Sequence, residues 1–251
     1  MKMKLFFIFF LFSICILSCT KNSSTTSLPS INDANNKNTG ASAKDLLTSS
    51  QFSSLKIEIE YMQGYTPDAA SLNNITSFLN SLINKPGGIT ITQKQIAAEG
   101  KPVYSLNDIA TIEQKNRSAF NSGNQLAVYI LIVDGNYTDA NVLGVSYRNT
   151  SVCLFGKTIF DNSGNIGEVN RTKLETTVTE HEFGHLLGLV NVGTAMQTNH
   201  QDAAHGNHCN NENCLMYYAA ETTDLLGFLM TGNVPQLDAA CLADLHAAGG
   251  K

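Results

Sequence analysis

Residues 171–187 read RTKLETTVTEHEFGHLL, and within them His181-Glu182-Phe183-Gly184-His185 decides how the rest of the chain is read. Residues four apart share one face of a helix, so both imidazoles can reach one cation from the same side. Glu182 lies one step round the helix, where it can hold a metal-bound water without ligating the ion. Two neutral imidazoles, an open coordination position and a carboxylate general base are what a zinc hydrolase needs. The plainer reading of Glu182 is a solvated helix-face carboxylate. The pair supplies two ligands only, so a third must come from elsewhere.

Working outward, the apolar periodicity predicts a mixed sheet with this helix packed on it. Leu55–Tyr61 alternates apolar and polar residues as a half-buried strand does. Ala69, Leu72, Ile75, Leu79 and Ile83 recur at helical spacing, and Pro86-Gly87-Gly88 ends that helix. Ile89–Thr92 reads as a second strand. Ser105 caps a helix expected to run to about Phe120, with Asp108 near its positive end. Gln125–Val133 is the most apolar segment and the expected central strand. Leu143–Tyr147 and Ser151–Phe155 follow as short strands, then the helix from Arg171 to about Leu187. This order places the fold in the α/β (α+β) class. Regularity then fades until Leu237, Cys241 and Leu245 mark a C-terminal helix, with Pro235 near its start. A long loop rich in His, Asn, Gly and Cys is usually functional, or held by something other than packing.

The N-terminus reads as an export signal. Lys2 and Lys4 precede an apolar run, Leu5–Leu17, too short for a normal spanning helix. Ile16-Leu17-Ser18-Cys19 resembles a bacterial lipobox, which implies cleavage before Cys19 and acylation of that cysteine; a plain cleaved signal or a short anchor is the alternative. The expected division is a signal peptide at 1–18, a lipidated cysteine and solvated tether at 19–44, and one domain at 45–251. The protein would then be exported and held by lipid at a bacterial membrane, the outer membrane being expected, facing the periplasm or the surface. A net charge of −5, no Trp and no basic cluster give no reason to expect nucleic-acid binding. Four cysteines remain in the domain: Cys153, Cys209, Cys214 and Cys241. Export permits disulfides, and four cysteines allow three full pairings.

Gly188 can take the left-handed conformation that ends the catalytic helix. In metzincin zinc peptidases the pattern is HExxHxxGxxH, and His181, Glu182, His185 and Gly188 match it. Asn191 stands where the third His belongs, and an amide is a poor zinc ligand. Further on, His208-Cys209-Asn210-Asn211-Glu212-Asn213-Cys214-Leu215-Met216 reads HC-x4-CxM, which resembles the archaemetzincin branch. That resemblance covers residues 178–218 and implies a metzincin-like zincin with a mixed twisted sheet, an active-site helix, a Met-turn at Met216 and a C-terminal helix. It makes His208 the third ligand, after an insertion from Val190 to Asn207. His205 and Asp202 are the main competitors, with His200 and Asn191 behind them.

The family's later cysteine pair completes a four-cysteine zinc site, whereas this chain has Cys241 alone in that region. A disulfide among Cys209, Cys214 and Cys241 is therefore expected, with Cys153 a buried thiol. A second structural ion on Asp202, His205 and Cys209 is the other option. The resemblance further implies a role for Tyr218 as zinc ligand or oxyanion donor, with Tyr217 or plain packing as alternatives. It makes Leu143–Tyr147 a rim strand able to bind an extended peptide. Leu225–Met230 becomes a specificity-pocket wall, although core packing explains that run equally well. The expected function is a monomeric, Zn2+-dependent peptidase, an endopeptidase acting on peptides or proteins through a zinc-bound water activated by Glu182. A catalytically inactive binding lipoprotein and a hydrolase of a non-peptide amide are the rivals.

Overall fold

The computed structural model describes residues 28–251. The expected signal peptide, Cys19 and the start of the tether lie outside them. In chain order the elements are α1 (Ala43–Leu47), β1 (Ser54–Met62), α2 (Ala69–Leu82), β2 (Ile89–Ile96), β3 (Val103–Tyr104), α3 (Leu106–Asn116), β4 (Gln125–Val133) and β5 (Asn136–Tyr137). They continue with β6 (Gly144–Arg148), β7 (Ser151–Phe155), α4 (Gly156–Asp161), α5 (Arg171–Leu186), α6 (Leu226–Thr231) and α7 (Ala239–Ala247). None of the helices among the described residues is long and apolar enough to cross a membrane.

The main sheet has the order β2-β1-β4-β7-β6, so β4 is its middle strand. Only β6 runs antiparallel to its neighbour. Helices α2 and α3 each follow a strand and return the chain to a parallel one, the connection that parallel pairing requires. Both faces of β4 are covered, which is why its sequence is a continuous apolar run rather than an alternation. Leu126, Val128, Ile130 and Ile132 join the larger core with α2 and α5, while Tyr129, Leu131 and Val133 join a smaller one under α3. Val152 and Leu154 of β7 follow the first set, Cys153 and Phe155 the second.

Three expectations change. The α3 helix begins at the Ser105–Asp108 capping box but stops at Asn116, short of Phe120. The next backbone amides turn to a carboxylate: Ser118 and Ala119 donate to Glu58 Oε2 at 3.0 and 2.7 Å. Strand β2 extends to Ile96 because it pairs along the full length of β1. Most importantly, residues 32–44 are not a solvated tether. Asn35 is fully buried and its amide donates to Asn121 Oδ1, Ala127 O and Thr150 Oγ1. Lys37 and Asn149 exchange hydrogen bonds, and Ser42 and Ala43 are buried. A composition rich in Asn reads as solvated, yet here the amides satisfy backbone groups at strand ends.

Candidate metal centre

Asn170 caps helix α5, its side chain accepting from Lys173 N at 3.1 Å. Every residue from Leu174 to Leu186 is buried, the polar ones included. The helix lies between α2 on one side and β6, β7 and α6 on the others, so it has no solvated face. Hence it shows little amphipathic pattern, and Glu182 is no surface carboxylate.

Two glycines permit the helix to sit where it does. A Cβ on Gly184 would lie 2.2 Å from Met216 Sδ, so the absence of a side chain there lets the Met216 thioether press against the helix. Gly188 has φ +84° and reverses the chain; its carbonyl accepts from Val192, Gly193 and Thr194 at 3.1, 3.1 and 3.0 Å. That turn leaves Asn191 exposed and outside any donor cluster.

His181, His185, His208 and Glu221 form one such cluster, with ligand atoms all within 4.8 Å of one another. Each imidazole is oriented by a backbone carbonyl at Nδ1: Leu215 O at 2.7 Å for His181, Leu189 O at 3.3 Å for His185, His205 O at 2.7 Å for His208. Nδ1 therefore carries the hydrogen, and each Nε2 turns an unprotonated lone pair inward. His181 Nε2 and His185 Nε2 stand 3.1 Å apart. Two lone pairs at that separation repel unless a cation lies between them. His208 Nε2 and Glu182 Oε1 are buried without a hydrogen-bond partner. Buried polar groups are seldom left so, and these donors fit an ion.

At His185 and Glu182 the electrostatics agree. Burial, aided by His181, holds the His185 ring down to about 3, so it stays neutral. Burial also pushes the Glu182 carboxyl well above its usual range, with the Glu221 charge adding to the rise. Only Ser146 opposes this, its hydroxyl donating to Glu182 Oε2 at 2.6 Å. At Glu221 burial works upward but the His181 and His208 imidazoles outweigh it, and the carboxyl falls well below the usual range. Burial likewise lowers His208, but Glu221 more than offsets this and raises it.

The competitors for the third position are elsewhere. Asp202 and His205 pair with each other at 2.6 Å on the exposed tip of the inserted loop. They join no described cluster. Tyr218 stacks on the His205 ring, with centroids 3.7 Å apart and planes 10° from parallel. The group from that segment that meets the imidazoles is Glu221, at the end of a 3-10 turn, Tyr218–Glu221. Sequence reading missed Glu221, because no spacing rule links it to the helix. The Leu225–Met230 run divides: Leu225 and Leu229 are core, Phe228 and Met230 exposed. A cleft of about 400 Å³ opens beside the cluster, bordered by Thr39, Val145, Glu182, His205 and Glu221. The outer edge of β6 is partly taken: Leu143 N donates to Glu221 O, and Thr39 Oγ1 donates to Ser146 O.

A second cluster comprises His200, Cys209, Asp238 and Cys241. Cys214 adjoins it, its sulfur 3.6 Å from that of Cys241. All four cysteines of the described residues are free thiols, so the expected disulfide is absent. The unanticipated members are Asp238 and His200, the latter delivered by the inserted loop as it pairs antiparallel with residues 208–210. Its Nε2 is 2.8 Å from Asp244 Oδ2 and its Nδ1 3.4 Å from Cys209 Sγ. The expected set of Asp202, His205 and Cys209 is not assembled. Met216 N and Asp238 N both donate to Cys214 Sγ at 3.4 Å. Hydrogen bonds from the Cys209 and Cys241 thiols lower Cys214 to about 4, favouring thiolate. An Asp238 placed as N-cap of α7 was the one readable signal, since it fixes Cys241.

No protein-family model and no curated protein matches the chain. Among solved structures, archaemetzincin from Methanopyrus kandleri is similar at 12% identity and a TM-score of 0.48, covering 78% of this chain and 96% of that one. Metalloproteinase-II from Bacteroides fragilis is similar at 13% identity and a TM-score of 0.40, covering 80% of this chain and 55% of that one. Likenesses this distant bear no weight on function, which has to rest on the side chains themselves.

Proposed function

We propose that the chain is a zinc-dependent peptidase whose active centre is built on His181, His185 and His208, with Glu182 as general base. The observation that carries this reading is the pair of orphaned buried atoms, His208 Nε2 and Glu182 Oε1, beside two facing imidazole lone pairs. Zinc, when bound, would polarise a substrate carbonyl and acidify water. Glu182 would take up a proton at Oε1, and its buried setting suits it to hold that proton and return it to a leaving amine. Ser146 fixes the other oxygen, so the carboxylate presents one atom to the cleft. Leu215 O, Leu189 O and His205 O keep the three rings in the ligating tautomer.

Met216 would serve as the Met-turn residue, supporting the helix at Gly184. An extended peptide would add to the edge of β6, displacing the Thr39 hydroxyl from Ser146 O. The stacked His205–Tyr218 pair at the cleft border would contact substrate rather than metal. Cys209, Cys241 and His200 would hold a second, structural ion, with Asp238 or the adjoining Cys214 as fourth donor, a set that suits tetrahedral zinc. The N-terminal sequence supports export and a lipid anchor at Cys19.

The full chain should contain about two tightly held zinc ions and cleave a mixed peptide library. Glu182→Gln should lower cleavage by roughly 10²–10⁴-fold while retaining both ions. Bound zinc without cleavage of any peptide or protein would replace this reading with that of a metal-holding binding protein. Hydrolysis of small amides alone would move it to a non-peptide substrate.

A further inference from the structure

Glu221 belongs to the first cluster as fully as the histidines do. Its Oε2 is 3.6 Å from His181 Nε2 and 3.9 Å from His185 Nε2, and its Oε1 is 3.5 Å from His208 Nε2. A carboxylate that merely paired with an imidazolium would close to about 2.8 Å. Donors about 2.0–2.2 Å from a shared ion in tetrahedral geometry stand roughly 3.4 Å apart, which is near the separations found. The side chain approaches all three imidazoles at once, as a ligand does, and hydrogen-bonds to none.

Its placement is also built rather than accidental. Glu221 O accepts from Leu143 N at 2.7 Å, Thr222 bridges Val142, and Thr223 N donates to Asn141 O at 2.9 Å. The backbone on both sides of the residue is thereby pinned to the entry of β6. Only the side chain can move. It is 24% exposed, so it forms the cleft-facing side of an otherwise buried set.

We infer that Glu221 is the fourth protein ligand of this metal centre, filling the coordination position that a three-histidine site leaves open. The inference rests on the metal centre proposed above and adds a consequence to it. In the substrate-free protein the ion has a closed shell of three imidazoles and one carboxylate. A substrate reaches the ion only by displacing Glu221 toward the cleft. The resting centre is latent, and its latency is set by one side chain.

The test uses the full chain loaded with Zn2+ or Co2+, comparing wild type with Glu221→Ala, Glu221→Gln and His181→Ala. His181→Ala isolates the contribution of the second cluster, which is subtracted from the others. Competition with a chromophoric chelator should show zinc at this centre held at least tenfold more weakly in both Glu221 variants. Azide should leave the Co2+ absorption of wild type unchanged and shift that of Glu221→Ala, where a position has opened. Glu221→Gln keeps the side-chain volume, and circular dichroism on each variant separates lost ligation from lost folding. Equal zinc affinity together with an equal azide response in wild type and Glu221→Ala would overturn the inference and leave the three-histidine centre standing. A wild-type metal content unaffected by His181→Ala would overturn both.

Discussion

The two donor clusters differ in almost every physical respect although one short stretch of chain serves both. The first draws nitrogen and oxygen donors from a helix, a loop and a 3-10 turn, borders a cleft, and holds a buried carboxylate with an unpartnered oxygen. The second is sulfur-rich, gathers the inserted loop onto the start of α7, and offers no orphaned carboxylate. Unsatisfied polarity collects beside the cleft; satisfied hydrogen bonds collect where a loop is held.

That contrast predicts unequal costs. His200→Ala should release one ion and lower the unfolding free energy by on the order of 5 kcal/mol, a fraction of the roughly 10–16 kcal/mol that structural zinc supplies in small domains. His181→Ala should release the other ion at less than half that cost in stability. Urea unfolding with parallel metal analysis distinguishes them, and equal losses would erase the distinction between a holding and a working centre.

Glu175 sharpens the comparison from within α5. It is 3% exposed, accepts from Asp68 N at 2.8 Å, and is pushed up to about 7, chiefly by burial. Unlike Glu182 it faces no cluster of imidazoles. A carboxyl raised above its unfolded value near 4.5 contributes stability that is present below that pH and lost as pH climbs toward 7. Glu175→Gln, which preserves the hydrogen bond, should therefore stabilise the fold at pH 8 by up to about 3 kcal/mol and change little at pH 4. Thermal melts at the two pH values decide it.

Packing beneath the first centre gives a smaller effect. Gly184→Ala forces a methyl group onto Met216 and should cost about 2 kcal/mol, loosening metal binding as His181 and His185 shift. Gly227→Ala on α6, where a Cβ meets nothing within 4 Å, is the matched control and should stay within roughly 0.5 kcal/mol of wild type. Smallest of all, Ser146→Ala should cost about 1 kcal/mol. It removes a hydrogen bond that favours ionised Glu182, so the acidic limb of the activity profile should move to higher pH. An unmoved limb would mean that Ser146 does not set the state of that carboxylate.

The helical face of His181 and His185 was legible because helix geometry turns an i,i+4 spacing into proximity without help from the rest of the fold. His208 was legible through a likeness in spacing, with its neighbours Cys209, Cys214 and Met216. Glu221 was not, since its approach depends on backbone pairing between residues 141–143 and 221–223, far apart in sequence. His200 was hidden for a related reason: a loop histidine reads as exposed until an antiparallel pairing carries it inward. The strands β1 and β4 followed from apolar pattern, whereas the two-residue pair β3–β5 and the short α4 are below the length at which any period shows. The packed segment 32–44 escaped because composition records polarity, not whether that polarity finds partners.

His208 and Cys209 are adjacent, yet one donates to the first cluster and the other to the second. The stretch from His208 to Met216 thus works like a key cut on both edges. Of its spacer, the exposed Asn210, Glu212 and Asn213 can be exchanged while Asn211 holds Asp238 Oδ2 at 3.0 Å, but gaining or losing one residue would offer sulfur where nitrogen belongs and carry Met216 off Gly184. Most of the chain from Gly188 to Gln197 is held too, by Leu189 O on His185, by the Gly188 carbonyl and by Gln197 N donating to Asp244 Oδ1. The exposed residues Thr198 and Asn199 bear no such constraint, and there doubling a flexible loop costs only about 0.6 kcal/mol. Length is free just ahead of His200 and locked from His208 to Met216, so related chains should differ in count at the first place and agree residue for residue in the second.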